Sequence, residues 1–218
     1  MTDIRSQFHD DLSAMEQQLL LMGEAVQEAV ADASASLVDG ATEKAQTVVD
    51  SMEALDAAAI EFERHWLETM ALQTPVASDL RLMSAFMNCN HSINRVGHQA
   101  KNISRVVLAT KGMPQHGPIV QQLKDMSDRV APMLRIALEA FAHRNSGLAP
   151  TLIEMDQPVN ALNRDLYKLV VDCAGDPDKL EWASRMMVVA RAYERIGDRA
   201  ISIAQQVQFL VTGSYEED

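Results

Sequence analysis

The chain has 218 residues, 47% of them apolar, and a formal net charge of −12. Nine Gly and seven Pro are too few for a sandwich or barrel, in which a turn recurs every ten residues or so. The acidic balance, with Lys and Arg scattered rather than clustered, excludes nucleic acid as a partner.

Apolar residues recur at steps of three and four in six segments, and the composition rich in Met, Leu, Val and Ala suits helix packing. Phe8, Leu12, Met15, Leu19 and Met22 open a first helix that closes at Asp39-Gly40. Ala45, Val48, Met52, Leu55, Ala59 and Phe62 mark a second, ended by Pro75. Leu82, Phe86, Cys89, Ile93, Val96 and Ala100 mark a third. The segment Gly112-Met-Pro-Gln-His-Gly-Pro118 then holds four Gly or Pro in seven residues and predicts a boundary between units 1–112 and 113–218. In the second unit, Ile119, Leu123, Met126 and Val130 begin a fourth helix, and Leu152, Met155, Val159 and Leu162 a fifth. After Gly175-Asp-Pro177, Trp182, Met186, Val189, Tyr193 and Ile196 begin a sixth. Pro158 falls early in the fifth, where a late start or a kink is expected. Most of these helices run to about 25 residues or more with short connections. The predicted fold is all-α, two tandem antiparallel three-helix bundles related by an internal repeat.

The repeat is visible in the residues themselves. Asn94-Arg95-Val96-Gly97-His98 is answered by Glu194-Arg195-Ile196-Gly197-Asp198, and Met87, Ala100 and Ile103 by Met187, Ala200 and Ile203. Gly97 and Gly197 lie inside helices, where Gly costs about 1 kcal/mol relative to Ala. Close helix approach is the economical explanation, and a backbone surface left open for a ligand the second. Residues i and i+4 share a helix face, so Glu194 and Asp198 are neighbouring carboxylates that repel unless a positive group intervenes. At about 100° per residue they point away from the seam marked by Ile196 and Ala200, onto a lateral or outer face. In the fifth helix Asp156-x-x-x-Asn160 falls opposite Met52-x-x-x-Asp56 of the second. Asp156, Asn160, Glu194 and Asp198 therefore form an oxygen-donor set suited to a hard or intermediate divalent cation. An ordinary solvated acidic face, screened by Arg195 and Arg199, is the competing reading. The first unit carries a weaker set, Asp56, Asn94 and His98, with one carboxylate; any ion there is expected to be weakly held or of a different kind.

Other chemistry is not signalled. Residues Met1 to Asp10 lack a basic stretch followed by an apolar one, so no signal peptide is expected, and no apolar run approaches 18 residues. Cys89 and Cys173 sit on apolar seams and read as buried thiols in a reducing, cytoplasmic setting. No Glu-x-x-His pair, phosphate-binding loop or nucleophile motif appears, and a non-enzymatic role is expected.

Pro75-Val-Ala-Ser-Asp-Leu-Arg81, together with Tyr193-Glu-Arg-Ile-Gly-Asp-Arg-Ala200, resembles the PhoU family of phosphate-signalling proteins. The ending Phe209-Leu-Val-Thr-Gly213 also fits, and the likeness covers nearly the whole chain. The resemblance implies two three-helix bundles in a cytoplasmic regulator, at most peripheral to the membrane, and it leaves a homodimer open. It implies coupling of a phosphate ABC transporter, through its ATPase subunit, to a sensor histidine kinase, with repression of phosphate-starvation genes when phosphate is plentiful. It also implies a divalent metal (Mg²⁺, Mn²⁺, Fe²⁺ or Zn²⁺) at Asp156, Asn160, Glu194 and Asp198. The family's acids are replaced here at Met52, Asn94, His98 and Asn160. Two alternatives stand beside this reading: a metal-dependent phosphohydrolase, and a PhoU-like paralogue scaffolding a different transporter.

Overall fold

The computed structural model describes residues 2–215, with side chains from residue 7 onward. Among the described residues six α-helices account for the fold: α1 (Thr2–Asp39), α2 (Thr42–Gln73), α3 (Ala77–Ala109), α4 (Gly117–His143), α5 (Ala149–Val171) and α6 (Pro177–Thr212). A 3-10 turn, Ser146–Leu148, precedes α5. Local chemistry sets the ends. Gly40 and Gly213 take the left-handed backbone that stops a helix at little cost, and Gly112 takes it in the turn closed by Met113 N–H on the Thr110 carbonyl. The Asp176 carboxylate accepts from the Lys179 backbone N–H at 3.2 Å, and Pro177 follows it in the first turn of α6. Thr74, Ala77 and Arg144 also adopt positive φ without being Gly, so the α2–α3 and α4–α5 turns hold backbone strain. The expectation of a late start at Pro158 is corrected. The helix begins at Ala149, with Pro150 in its first turn, and continues past Pro158.

Side chains fix the register. Gln18 in α1 donates to the Ala58 carbonyl of α2 at 3.2 Å, and Asp32 of α1 pairs with Lys44 of α2 at 3.1 Å. As one number climbs the other falls, so the two helices run antiparallel. Gln122 in α4 makes the same bond to the Leu162 carbonyl of α5 at 2.7 Å. Its donor and acceptor each lie 104 positions beyond Gln18 and Ala58, so the repeat extends to individual hydrogen bonds.

The two bundles are packed side by side and share one continuous core. Helices α3 and α6 run along the boundary, with α1 against α4 beside them. Phe86 and Phe141 meet across it with ring centroids 5.9 Å apart. The Arg144 guanidinium lies over both rings and pairs with Glu16 at 2.7 Å. The Tyr193 hydroxyl donates to the Ser34 hydroxyl at 2.9 Å. Each buried Phe contributes about 1.5–3 kcal/mol, so the shared core ties the units into one body. Cys89 and Cys173 are free and buried, and burial pushes the Cys89 thiol up to about 12. No helix among the described residues is long and apolar enough to cross a membrane.

Candidate functional site

Helix α5 lies alongside α6, and the contact closes on Gly197. A Cβ added there would fall 2.4 Å from Asp156 Oδ1 and 3.5 Å from Met133 Cε. Only a residue without a side chain lets the α5 carboxylate approach the α6 backbone this closely. The first explanation for Gly197, close approach, therefore applies, and what approaches is a charged group. Asp156 is 5% exposed, and its Oδ2 accepts from the Asn160 amide at 2.5 Å. Its Oδ1 is buried with no partner.

Glu194 presents the same half-satisfied pattern. Arg191 donates to its Oε1, while Oε2 is buried without a partner. The sequence reading put both α6 carboxylates on a lateral or outer face. Asp198 is exposed on the outer side, while Glu194 is on the lateral one, with its side chain only 13% exposed. The cause is the position of α5, which covers this flank of α6. Arg191, three residues before Glu194, is the main screening cation, and Arg195, expected from the sequence, acts in the same direction more weakly. The i, i+3 spacing carried that signal.

The three carboxylates act on one another. Burial first, and the Asp198 charge second, raise the Asp156 carboxyl above its ordinary range, against the lowering bond from Asn160. Burial, then Asp198, raise Glu194 as well, with Asp156 adding to the effect and Arg191 opposing it. An unpartnered buried carboxylate oxygen costs about 1–3 kcal/mol or more. Two of them beside a third acid form a locally unfavourable arrangement that a cation would relieve. Asp156 Oδ1, Glu194 Oε2 and the Asp198 carboxylate are the donors available for one, with Asn160 Oδ1 beside them, so the donor set fits a hard divalent ion. In the present side-chain positions, no group of three or more His, Cys, Asp or Glu among the described residues is arranged to hold a metal. Asn160 and Arg191 hold the other two oxygens, as described above.

The first bundle departs at the same point. A Cβ on Gly97 would meet Leu55 Cδ2 at 2.2 Å and Met52 Sδ at 3.1 Å, so aliphatic and thioether groups fill the place that Asp156 takes in the second. Asp56 Oδ1 and His98 Nε2 stand 3.0 Å apart, and Asn94 Oδ1 is buried without a partner. The structure brings Asp56 and His98 together directly.

This duplicated architecture has known counterparts. The PhoU domain model matches twice, at residues 19–107 and 123–207, one match in each bundle. A phosphate-specific transport system accessory protein PhoU homolog of Zymomonas mobilis is 30% identical over 207 residues, 94% of this chain and 87% of that protein. A protein of the same description from Rhizobium meliloti is 27% identical over 212 residues, 97% of this chain and 90% of that one. The crystal structure of PhoU from Pseudomonas aeruginosa superposes with a TM-score of 0.90 at 27% identity, covering 95% of this chain and all of that one. With both bundles matched and the relatives spanned almost end to end, this chain is a member of the PhoU family.

Proposed function

We propose that the protein is a non-enzymatic regulator of phosphate uptake and signalling that binds a divalent cation on its second bundle. The double PhoU match carries the regulatory part, since the relatives are named accessory proteins of phosphate transport. In this reading the chain contacts the ATPase subunit of a phosphate ABC transporter and a sensor histidine kinase in the cytoplasm, and it holds the kinase in its repressing state when phosphate is plentiful. A binding protein shifts such an equilibrium only by its differential affinity for the two states. The bundle's two unlike faces suit a protein that meets two partners.

The cation part rests on the orphaned oxygens of Asp156 and Glu194. A bound ion would neutralise the cluster formed with Asp198 and link α5 to α6 there. The protein's own contribution is positional: Gly197 admits Asp156, Asn160 orients it, and Arg191 orients Glu194.

Deleting the gene should derepress a phosphate-starvation reporter at high phosphate, and the wild-type gene should restore repression. Unchanged repression in the deletion strain would remove the regulatory reading. Pull-down with the transporter ATPase tests the contact separately, and failure of the pair to associate at any phosphate level counts against that partner.

A further inference from the structure

A groove of about 550 Å³ runs along the outer face of the first bundle between α1 and α2. Its floor is apolar: Met22, Val48, Met52 and Leu55 are buried. Met52 and Leu55 are also the residues seated on Gly97. Where the second bundle has Asp156, the first therefore has part of an apolar groove floor.

The walls are built from small residues, Ala25, Ser51, Ala54 and Ala58, and one lip carries Leu21, which is 65% exposed. Small side chains on two antiparallel helices leave a channel into which the ridge of a third helix fits, at interaxial distances of about 8–10 Å. Along α1 the lining runs from Gln18 to Asp32, roughly 21 Å at 1.5 Å per residue, or about four helical turns.

Charge identifies the occupant. Between Gln18 and Ala58 the sequence has eight Asp or Glu and a single basic residue, Lys44. Lys44 is already paired with Asp32, and Glu28 lines the groove as well. A second copy of this acidic chain would bring like charge against like. A small polar ligand would need polar groups aimed inward, and among the described residues no buried unpartnered polar atom lies on this lining.

We infer that the α1–α2 groove receives a basic amphipathic helix of a protein partner, its apolar stripe on Met52 and Leu55 and its Lys or Arg flanks against the acidic rim. This deepens the accessory reading and rests on it for the existence of a partner. Its own test needs neither transporter nor kinase, so the two can fail separately.

The probe is a fluorescein-labelled 18-residue peptide with Leu and Ala along one face and Lys on both flanks. It is compared with a scramble of the same composition by anisotropy against the full chain. The ordered peptide should bind at least tenfold more tightly than the scramble. Ala54→Trp and, on the opposite wall, Ala25→Trp should each weaken it at least tenfold while helix content and melting stay intact. Glu28→Lys should weaken it about threefold and flatten its salt dependence. Equal binding of the scramble would reduce the effect to bulk charge attraction and overturn the inference. So would undiminished binding by both Trp variants, or a wild-type dimer that Ala54→Trp dissociates, which would make a second copy the occupant.

Discussion

Gly97 and Gly197 occupy the same place in two copies of one bundle, and they are pressed by opposite chemistries. Gly197 receives the Asp156 carboxylate, while Gly97 receives the Leu55 methyl group and the Met52 sulfur. The close helix approach is common to both copies, so it belongs to the architecture. What approaches is free to vary, and here it separates a charged, half-satisfied site from a dry one. The repeat thus kept the geometry and divided the chemistry.

Converting the dry copy toward the charged one should have the largest effect. Met52→Asp removes a buried side chain and buries a carboxylate beside Gly97, which should cost about 2–5 kcal/mol in packing alone. At 2–4 °C per kcal/mol the melting midpoint would fall by roughly 4–20 °C. Added Mn²⁺ should return part of the loss, because Asp56 and His98 stand nearby. A variant that melts like wild type would mean the two copies are not equivalent in packing.

For the native chain, a cation at a hundred times its Kd stabilises by about 2.7 kcal/mol, or roughly 5–10 °C in the midpoint. A midpoint unmoved by Mn²⁺, Mg²⁺, Fe²⁺ or Zn²⁺ would leave the acidic cluster without an ion. Glycine replacements sharpen the contrast further. Gly197→Ala drives a Cβ into a carboxylate held by Asn160, costing about 1–3 kcal/mol, and it should abolish the metal-induced shift. Gly97→Ala meets flexible apolar side chains that border the open α1–α2 groove and can move into it. The helix propensity of Ala offsets the remainder by about 1 kcal/mol, so the midpoint should change little. Equal costs at the two sites would erase the distinction.

The smallest effect is on pH dependence. Asp156 and Glu194 titrate above the ordinary carboxylate range in the folded chain. Below about pH 4, the ordinary carboxylate value, these groups are protonated in both states and contribute no difference. As pH rises through that value toward the raised folded ones, the unfolded chain releases protons that the native chain keeps, so metal-free stability declines. A combined Asp156→Asn, Glu194→Gln variant should show a flatter decline in denaturant titrations between pH 4 and 7, and a steeper one would reverse the assigned cause.

The helices were legible because burial repeats every three to four residues, and such stripes as Ile93–Val96–Ala100 and Leu152–Val159–Leu166 survive any change of neighbours. The pairing of Asp156 with Gly197 was half legible. The i, i+4 oxygens and the Gly stand in the sequence, but how far α5 slides over α6 depends on packing across both helices. That is why Glu194 is covered, where its helical angle alone left a lateral or an outer face open. The i, i+3 spacing offered Arg191, but Arg195 also lies within one turn of Glu194, and only side-chain placement ranks the two. The contacts of Arg144 with Phe86 and Glu16 were beyond reach, because they join elements more than fifty residues apart.

Calorimetric titration of Mn²⁺ into the purified chain tests the division between the two bundles most directly. Binding heat is expected in wild type, lost in Asp156→Asn and kept in Asp56→Asn. Heat retained by Asp156→Asn, or lost with Asp56→Asn, would put the cation elsewhere and overturn the assignment to the second bundle.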